Sequence, residues 1–169
     1  HIPLQKGLGG GSSDAAATLI GLNKLWDLRL THKELLDMSL ELGSDVPFFI
    51  FGHCAWAEGR GEILSKVDFN EEWHLLYMPN IKISTKKAFE SLSSNFSKPY
   101  TYEEYFSKGG INSFEKWARD SYQEIDEIFV RLGNIGKPRL SGTGSSVFVS
   151  FSKPEEAESA KLKFPDCIL

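Results

Sequence analysis

Gly7-Leu8-Gly9-Gly10-Gly11-Ser12-Ser13-Asp14 is the stretch on which the reading of this chain turns. Glycines let backbone N–H groups turn inward and let an anion come close. The polar residues after them open a helix. Ser12 or Ser13 is placed to cap it, Asp14 favours its first turn, and 15–26 reads as its body. Ala16, Leu19, Ile20 and Asn23 fall near one face of that helix. Inward N–H groups and a helix N-terminus together make a site suited to phosphate. The serine hydroxyls can add donors or reach a magnesium ion. The run is not a Walker A motif, because no Gly-Lys-[Ser/Thr] follows the glycines. Nor is it the loop of protein kinases, which lies between strands. A lone glycine run also reads as a flexible turn with a serine cap. Three consecutive glycines, two serines and an immediate helix start favour phosphate binding.

The bulk properties bound the alternatives. The chain has 169 residues, 41% hydrophobic and 25% charged, which is ordinary for a soluble globular protein of one domain or two small ones. A formal net charge of -4 argues against a general nucleic-acid binder but leaves room for a nucleotide. Cys54 and Cys167 stand far apart with no metal or redox spacing, and read as two buried or semi-buried thiols of a reducing compartment, the cytoplasm. No apolar run is long enough to span a bilayer, and no signal peptide is visible. Glycine-rich chemistry begins within a few residues of His1, and 167–169 reads as a strand just starting after Pro165-Asp166. Both ends are therefore expected to lie inside a longer chain.

Thr31 and Glu34 form a capping box for a second helix, which Gly43 stops. The segment 43–47 reads as a tight polar turn, 48–51 as a short apolar element, and 54–64 as a strand interrupted at Gly59 and Gly61. A domain boundary is expected in the polar connection 68–72, dividing the chain into 1–69 and 70–169. Beyond it, strands are expected over 73–78 and 147–151. Helices are expected from Ser84 or Thr85 through 92, over 113–132, and from Pro154 through 163, with a loop over 93–99. This half alternates strand and helix, as an α+β sandwich does. Arg139-Leu140-Ser141-Gly142-Thr143-Gly144-Ser145-Ser146 is a second glycine-rich turn needing φ > 0 at Gly142 and Gly144. It reads as a hairpin turn or as a backbone cradle for substrate. Asp45, between two apolar segments, reads as a helix cap or as a carboxylate that accepts a proton from an attacking hydroxyl.

Pro3-Leu4-Gln5-Lys6-Gly7-Leu8-Gly9-Gly10-Gly11-Ser12-Ser13-Asp14-Ala15-Ala16 resembles the second motif of the GHMP kinases, the galactokinase, homoserine, mevalonate and phosphomevalonate kinase superfamily. Ser141-Gly142-Thr143-Gly144-Ser145-Ser146 resembles their third motif. Gly43-Ser44-Asp45-Val46-Pro47-Phe48-Phe49 and Ala57-Glu58-Gly59-Arg60-Gly61-Glu62 resemble one branch, whose substrate is a cytidine diphosphate-linked methylerythritol of non-mevalonate isoprenoid synthesis.

The resemblance implies a two-domain α+β fold: the remainder of an ATP-binding domain, then a C-terminal α/β sandwich. It implies that ATP with Mg2+ phosphorylates the tertiary 2-hydroxyl of that substrate. Pro3, Leu4, Gln5, Lys6, Gly7, Leu8, Gly9, Gly10, Gly11, Ser12 and Ser13 would wrap the triphosphate, and Asp45 would be the catalytic aspartate. Phe89 would stack on the cytosine, unless it is helix core, and Thr85 would line the same site. Gly142 and Gly144 would lie near substrate and phosphates. No residue is singled out as a direct metal ligand. A first motif, with a lysine that pairs with the aspartate, belongs upstream of His1, and Lys6 is not that lysine. The partners implied are ATP and a small molecule, with no nucleic acid and no membrane, in a monomer or homodimer. Homoserine or phosphomevalonate kinase, and a non-catalytic nucleotide-binding module, remain as alternatives.

Overall fold

The computed structural model describes residues 2–92, 100–107 and 110–169. The loop expected over 93–99 lies outside the described residues. The fold is α+β, and the chain forms two compact units. One is Gly9–Asn70 with Ile2; the other joins Pro3–Leu8 to Glu71–Leu169.

The Gly9–Asn70 unit begins with helix α1, Gly10–Leu25. It starts earlier than the sequence suggested, because Gly9 is the N-cap, in the left-handed conformation (φ 67°, ψ 16°) that only glycine adopts at low cost. Neither serine caps. Ser13 lies inside the first turn and donates its hydroxyl to the Gly10 carbonyl at 2.9 Å, and Asp14 falls beyond that turn. Ala16 is buried, while Ile20 points outward. Asn23 ties the end of α1 to the next loop. Its amide donates to the Leu30 carbonyl (3.1 Å) and its oxygen accepts the Leu30 N–H (3.0 Å).

Helix α2, His32–Leu42, opens on the expected capping box. Thr31 Oγ1 accepts the Glu34 N–H at 3.2 Å, and Glu34 accepts the Thr31 N–H at 2.8 Å. The turn after Gly43 feeds helix α3, Val46–Phe51, longer by a half-turn than the apolar element expected. Pro47 suits the first turn, where its missing N–H costs nothing, and Gly52 ends the helix at φ 70°. Ala16, Leu35, Val46 and Ile50 make the core of this unit. The interrupted strand is in fact a hairpin of β1, Ala55–Glu58, and β2, Ile63–Lys66, paired antiparallel with Glu58 opposite Ile63. Gly59 (φ 68°) and Gly61 (φ 114°) reverse the chain, so the two interruptions were the turn itself.

The other unit is built on an antiparallel sheet, β3 (Trp73–Tyr77), β5 (Val147–Phe151) and β4 (Arg139–Leu140), in the order β3-β5-β4. Leu75 opposite Val149, Tyr77 opposite Val147 and Leu140 opposite Val147 share one face. That face meets helices α7, Gln123–Leu132, and α8, Pro154–Lys163, around buried Ile125, Ile128, Phe129, Leu132 and Ala160. Helix α4, Thr85–Ser91, is capped by Ser84, whose Oγ accepts the Lys87 N–H at 3.4 Å.

The single helix expected over 113–132 is two. Helix α6, Glu115–Ser121, and α7 are broken at Tyr122 (φ −132°, ψ 100°). Tyr122 closes one helix and opens the next: its N–H donates to the Ala118 carbonyl and its carbonyl accepts the Ile125 N–H, both at 3.0 Å. Ala118 and Ile125, on either side of the break, are both buried in the core, and the Arg119–Asp126 ion pair (2.7 Å) spans it. Helix α5, Tyr102–Ser107, has no counterpart in the sequence expectations. The strand start expected over 167–169 amounts to one bridge, Leu76 with Ile168. Among the described residues no helix is long and apolar enough to cross a membrane.

Candidate functional site

The glycine run is shared by the two units, so each part is described within its own. In the Gly9–Asn70 unit, the N-terminus of α1 offers the N–H groups of Gly10, Gly11 and Ser12, which have no partner inside the helix. The Ser13 N–H is the first to be spent, on the Gly9 carbonyl at 2.9 Å. The Ser12 hydroxyl bonds no described residue. A Cβ on Gly9 would stand 2.6 Å from Cζ of Phe49, so this start of α1 is seated against α3.

Asp45 stands at the other end of that contact, as the residue before α3. It occupies the N-cap position but its side chain caps nothing. The carboxylate is exposed and bonds no other described residue. Of its two sequence readings, the cap is therefore not what the geometry uses. The turn beneath it is fixed from an unexpected direction. Gly61 of the hairpin lies so close to the Ser44 carbonyl that no side chain fits there. Glu62 holds that hairpin turn by accepting the Arg60 N–H at 2.6 Å.

In the other unit, Pro3–Leu8 runs beside the second glycine turn. Ser141 donates its hydroxyl to the Gly7 carbonyl (2.7 Å), and the Ser146 N–H donates to the Lys6 carbonyl (3.1 Å). Gly7 has φ 73° and touches Ser141 and Gly144 so closely that a Cβ would collide with backbone. Leu4 is exposed, and Gln5 is left-handed at φ 58°, an uncommon conformation for a residue with a side chain. Lys6 directs its ammonium to the carbonyls of Pro79 and Ile81.

The turn 141–146 closes on itself through Ser141 N–H to Ser146 O and Gly144 N–H to Ser141 O, both 2.9 Å. Gly142 (φ 54°) and Gly144 (φ 90°) have the positive φ that the sequence required. Asn112, which no spacing pointed to, latches this turn. Its amide donates to the carbonyls of Leu140 (2.9 Å) and Gly142 (2.7 Å), while its oxygen accepts the Phe114 N–H (2.9 Å).

Thr85 and Phe89 are one helical turn apart on α4 and so share a face. Phe89 is 56% exposed and meets the Phe114 ring edge-on at 5.0 Å, so it is not helix core. An exposed aromatic with one edge braced can offer its face to a planar ring.

Residues 1–53 match the model of the GHMP kinases N terminal domain. Over 97% of its length the chain is 38% identical to the 4-diphosphocytidyl-2-C-methyl-D-erythritol kinase of Burkholderia multivorans (strain ATCC 17616 / 249), covering 60% of that protein. The kinase of the same name from Nitrosococcus oceani is 39% identical over 98% of the chain, which covers 59% of it. The chain thus spans about 60% of the length of the curated relatives it matches. A crystal structure of 4-(cytidine 5'-diphospho)-2C-methyl-D-erythritol kinase superposes with a TM-score of 0.79 at 28% identity, over 98% of this chain and 64% of that one. A homoserine kinase from Cytophaga hutchinsonii shares the fold alone, with a TM-score of 0.68 at 18% identity over 97% of this chain and 63% of that one.

Proposed function

Because residues 1–53 match the model of the GHMP kinases N terminal domain, we propose that the protein carrying this chain is a small-molecule kinase that transfers a phosphoryl group from ATP to the 2-hydroxyl of 4-diphosphocytidyl-2-C-methyl-D-erythritol. The observation that carries the reading is Asp45: a carboxylate in a cap position that caps nothing, on a helix seated against the N-terminus of α1.

In this reading the N–H groups at the start of α1, with Ser12 and Ser13, meet the phosphates of ATP. Pro3–Leu8 and the turn 141–146 supply backbone groups around nucleotide and substrate. Asp45 accepts or orients the proton of the attacking hydroxyl, and positioning with charge neutralisation lowers most of the barrier. A lysine upstream of His1 would be its cationic partner, as the family resemblance implies. Phe89, with Thr85 beside it, stacks on the cytosine ring. Stacking accepts any base, so the choice of cytosine falls to hydrogen bonds made elsewhere. Among the described residues no three His, Cys, Asp or Glu side chains cluster into a metal cage. The Ser12 hydroxyl, which bonds no other described residue, would be the side-chain oxygen of the run open to a magnesium ion, and that ion would neutralise charge on the triphosphate. The relatives' pathway and a cytoplasmic location belong to the same proposal.

A turnover assay with ATP and the cytidylylated substrate tests it. Phosphate transfer that homoserine or phosphomevalonate does not compete for is the expected result. ATP binding without transfer to any of the three would mark a nucleotide-binding module instead.

A further inference from the structure

Lys6 sits in a run read as a phosphate loop, yet its charge is spent elsewhere. Its Nζ donates to the carbonyl of buried Pro79 and, at 3.0 Å, to that of Ile81. The Ile81 carbonyl also accepts the hydroxyl of fully buried Ser145 at 2.8 Å. The backbone of Lys6 is held too, through its carbonyl, by the Ser146 N–H at 3.1 Å. Three segments remote in sequence thus converge on one side chain: 3–8, 79–81 and 141–146. An ammonium has three donors, and two here are committed to the Pro79 and Ile81 carbonyls. Lysine suits the task because its compact head rotates to meet two converging oxygens, whereas arginine donates only in the fixed plane of its fork.

We propose that Lys6 is a positioning residue: it clasps the first glycine loop to the 79–81 segment and the second glycine turn, and serves the nucleotide through the shape of that loop, not as a phosphate ligand. The functional half of this inference rests on the ATP reading above; the clasp itself does not.

The test uses the full-length protein. In the absence of nucleotide, Lys6→Met is expected to speed hydrogen exchange of the Ser146 amide about tenfold or more, because that amide loses its fixed acceptor. With substrate, the same variant is expected to raise KM for ATP about tenfold at nearly unchanged kcat, the signature of lost ground-state and transition-state binding alike. In the wild-type protein, which needs no variant to fold, an amine-acylating reagent is expected to spare Lys6 with or without ATP while labelling Lys86, whose side chain is 85% exposed. Unchanged exchange at Ser146, or Lys6 labelled in the free protein as fast as Lys86 and protected only by ATP, overturns the clasp. Faster exchange with KM unchanged overturns its service to the nucleotide. A wild-type protein that binds no ATP sinks the kinase reading and leaves the exchange and labelling results to decide the clasp.

Discussion

Asp45→Ala separates a cap from a catalyst, and the chain carries its own control. A side chain that caps a helix costs about 0.5–2 kcal/mol when truncated to alanine. Thr31→Ala removes such a cap, since Thr31 Oγ1 accepts the Glu34 N–H and the Thr31 hydroxyl donates to Glu34 at 2.7 Å. Asp45 makes no cap hydrogen bond and is exposed, so its truncation removes no fold contact. Only the interaction of its charge with the start of a six-residue helix is lost, which at ordinary salt lies at the low end of about 0.3–1 kcal/mol. Urea unfolding of both variants beside the wild type, with turnover measured on the same preparations, gives the comparison. Thr31→Ala is expected to lose about 1 kcal/mol with wild-type turnover. Asp45→Ala is expected to unfold within about 0.5 kcal/mol of wild type and to lose about 10²–10⁴-fold in turnover. An Asp45→Ala protein destabilised as much as Thr31→Ala, and still active, would refute the reasoning.

Gly9→Ala forces a left-handed alanine whose Cβ meets the Phe49 ring, and is expected to cost about 2–5 kcal/mol from strain and overpacking together. Adding Phe49→Leu should recover part of that in urea unfolding, and strictly additive losses would disprove the contact. The Thr31 backbone N–H, and then its hydroxyl, hold the Glu34 carboxyl below its ordinary value of 4.5. A lowered carboxyl stabilises the fold above its unfolded value, and that contribution fades as pH falls through the folded one. Below about pH 4.5, then, Glu34→Gln should flatten the decline in stability, and a decline as steep as wild type would discount the box. Cys54 is exposed, whereas burial, and secondarily the Asp166 carboxylate, pushes the Cys167 thiol up. A neutral alkylating reagent at neutral pH should modify Cys54 in the native protein and Cys167 only after unfolding; equal rates would contradict the burial.

What the sequence made legible was local. The Thr31–Glu34 box, the positive φ at Gly142 and Gly144, and strands β3 and β5 follow from turn chemistry and alternation, which short windows carry. The start of α1 did not, because serine is the statistically favoured cap and the cause of the glycine cap, the Phe49 ring, lies 40 residues away. The break at Tyr122 was hidden because apolar residues on both sides keep a helical spacing through it. Helix α5 carries a local signal of the same kind: Thr101 and Glu104 make the same reciprocal box as Thr31 and Glu34, at 3.0 and 3.2 Å. Among the candidate residues, the run 3–13 and Asp45 were visible as motifs. Asn112, the approach of Gly61 to the Ser44 carbonyl and the partners of Lys6 were not, since each acts through backbone carbonyls, which leave no mark in side-chain spacing.

The hydrogen bond between Gly7 and Ser141 joins residues 134 positions apart, and Lys6 and Ile81 are separated by 75. Segment 3–8 is made before the groups that give it shape, the nearest of which lies 73 residues further on. Closing so wide a loop costs little more free energy than closing a moderate one, yet it cannot begin until both ends exist. A growing chain therefore carries residues 3–8 without these contacts until residues 79–81 and then 141–146 have been made. Any product stopped before Ser146 retains the motif in its sequence while lacking the conformation, so an intact motif is no guarantee of a formed loop.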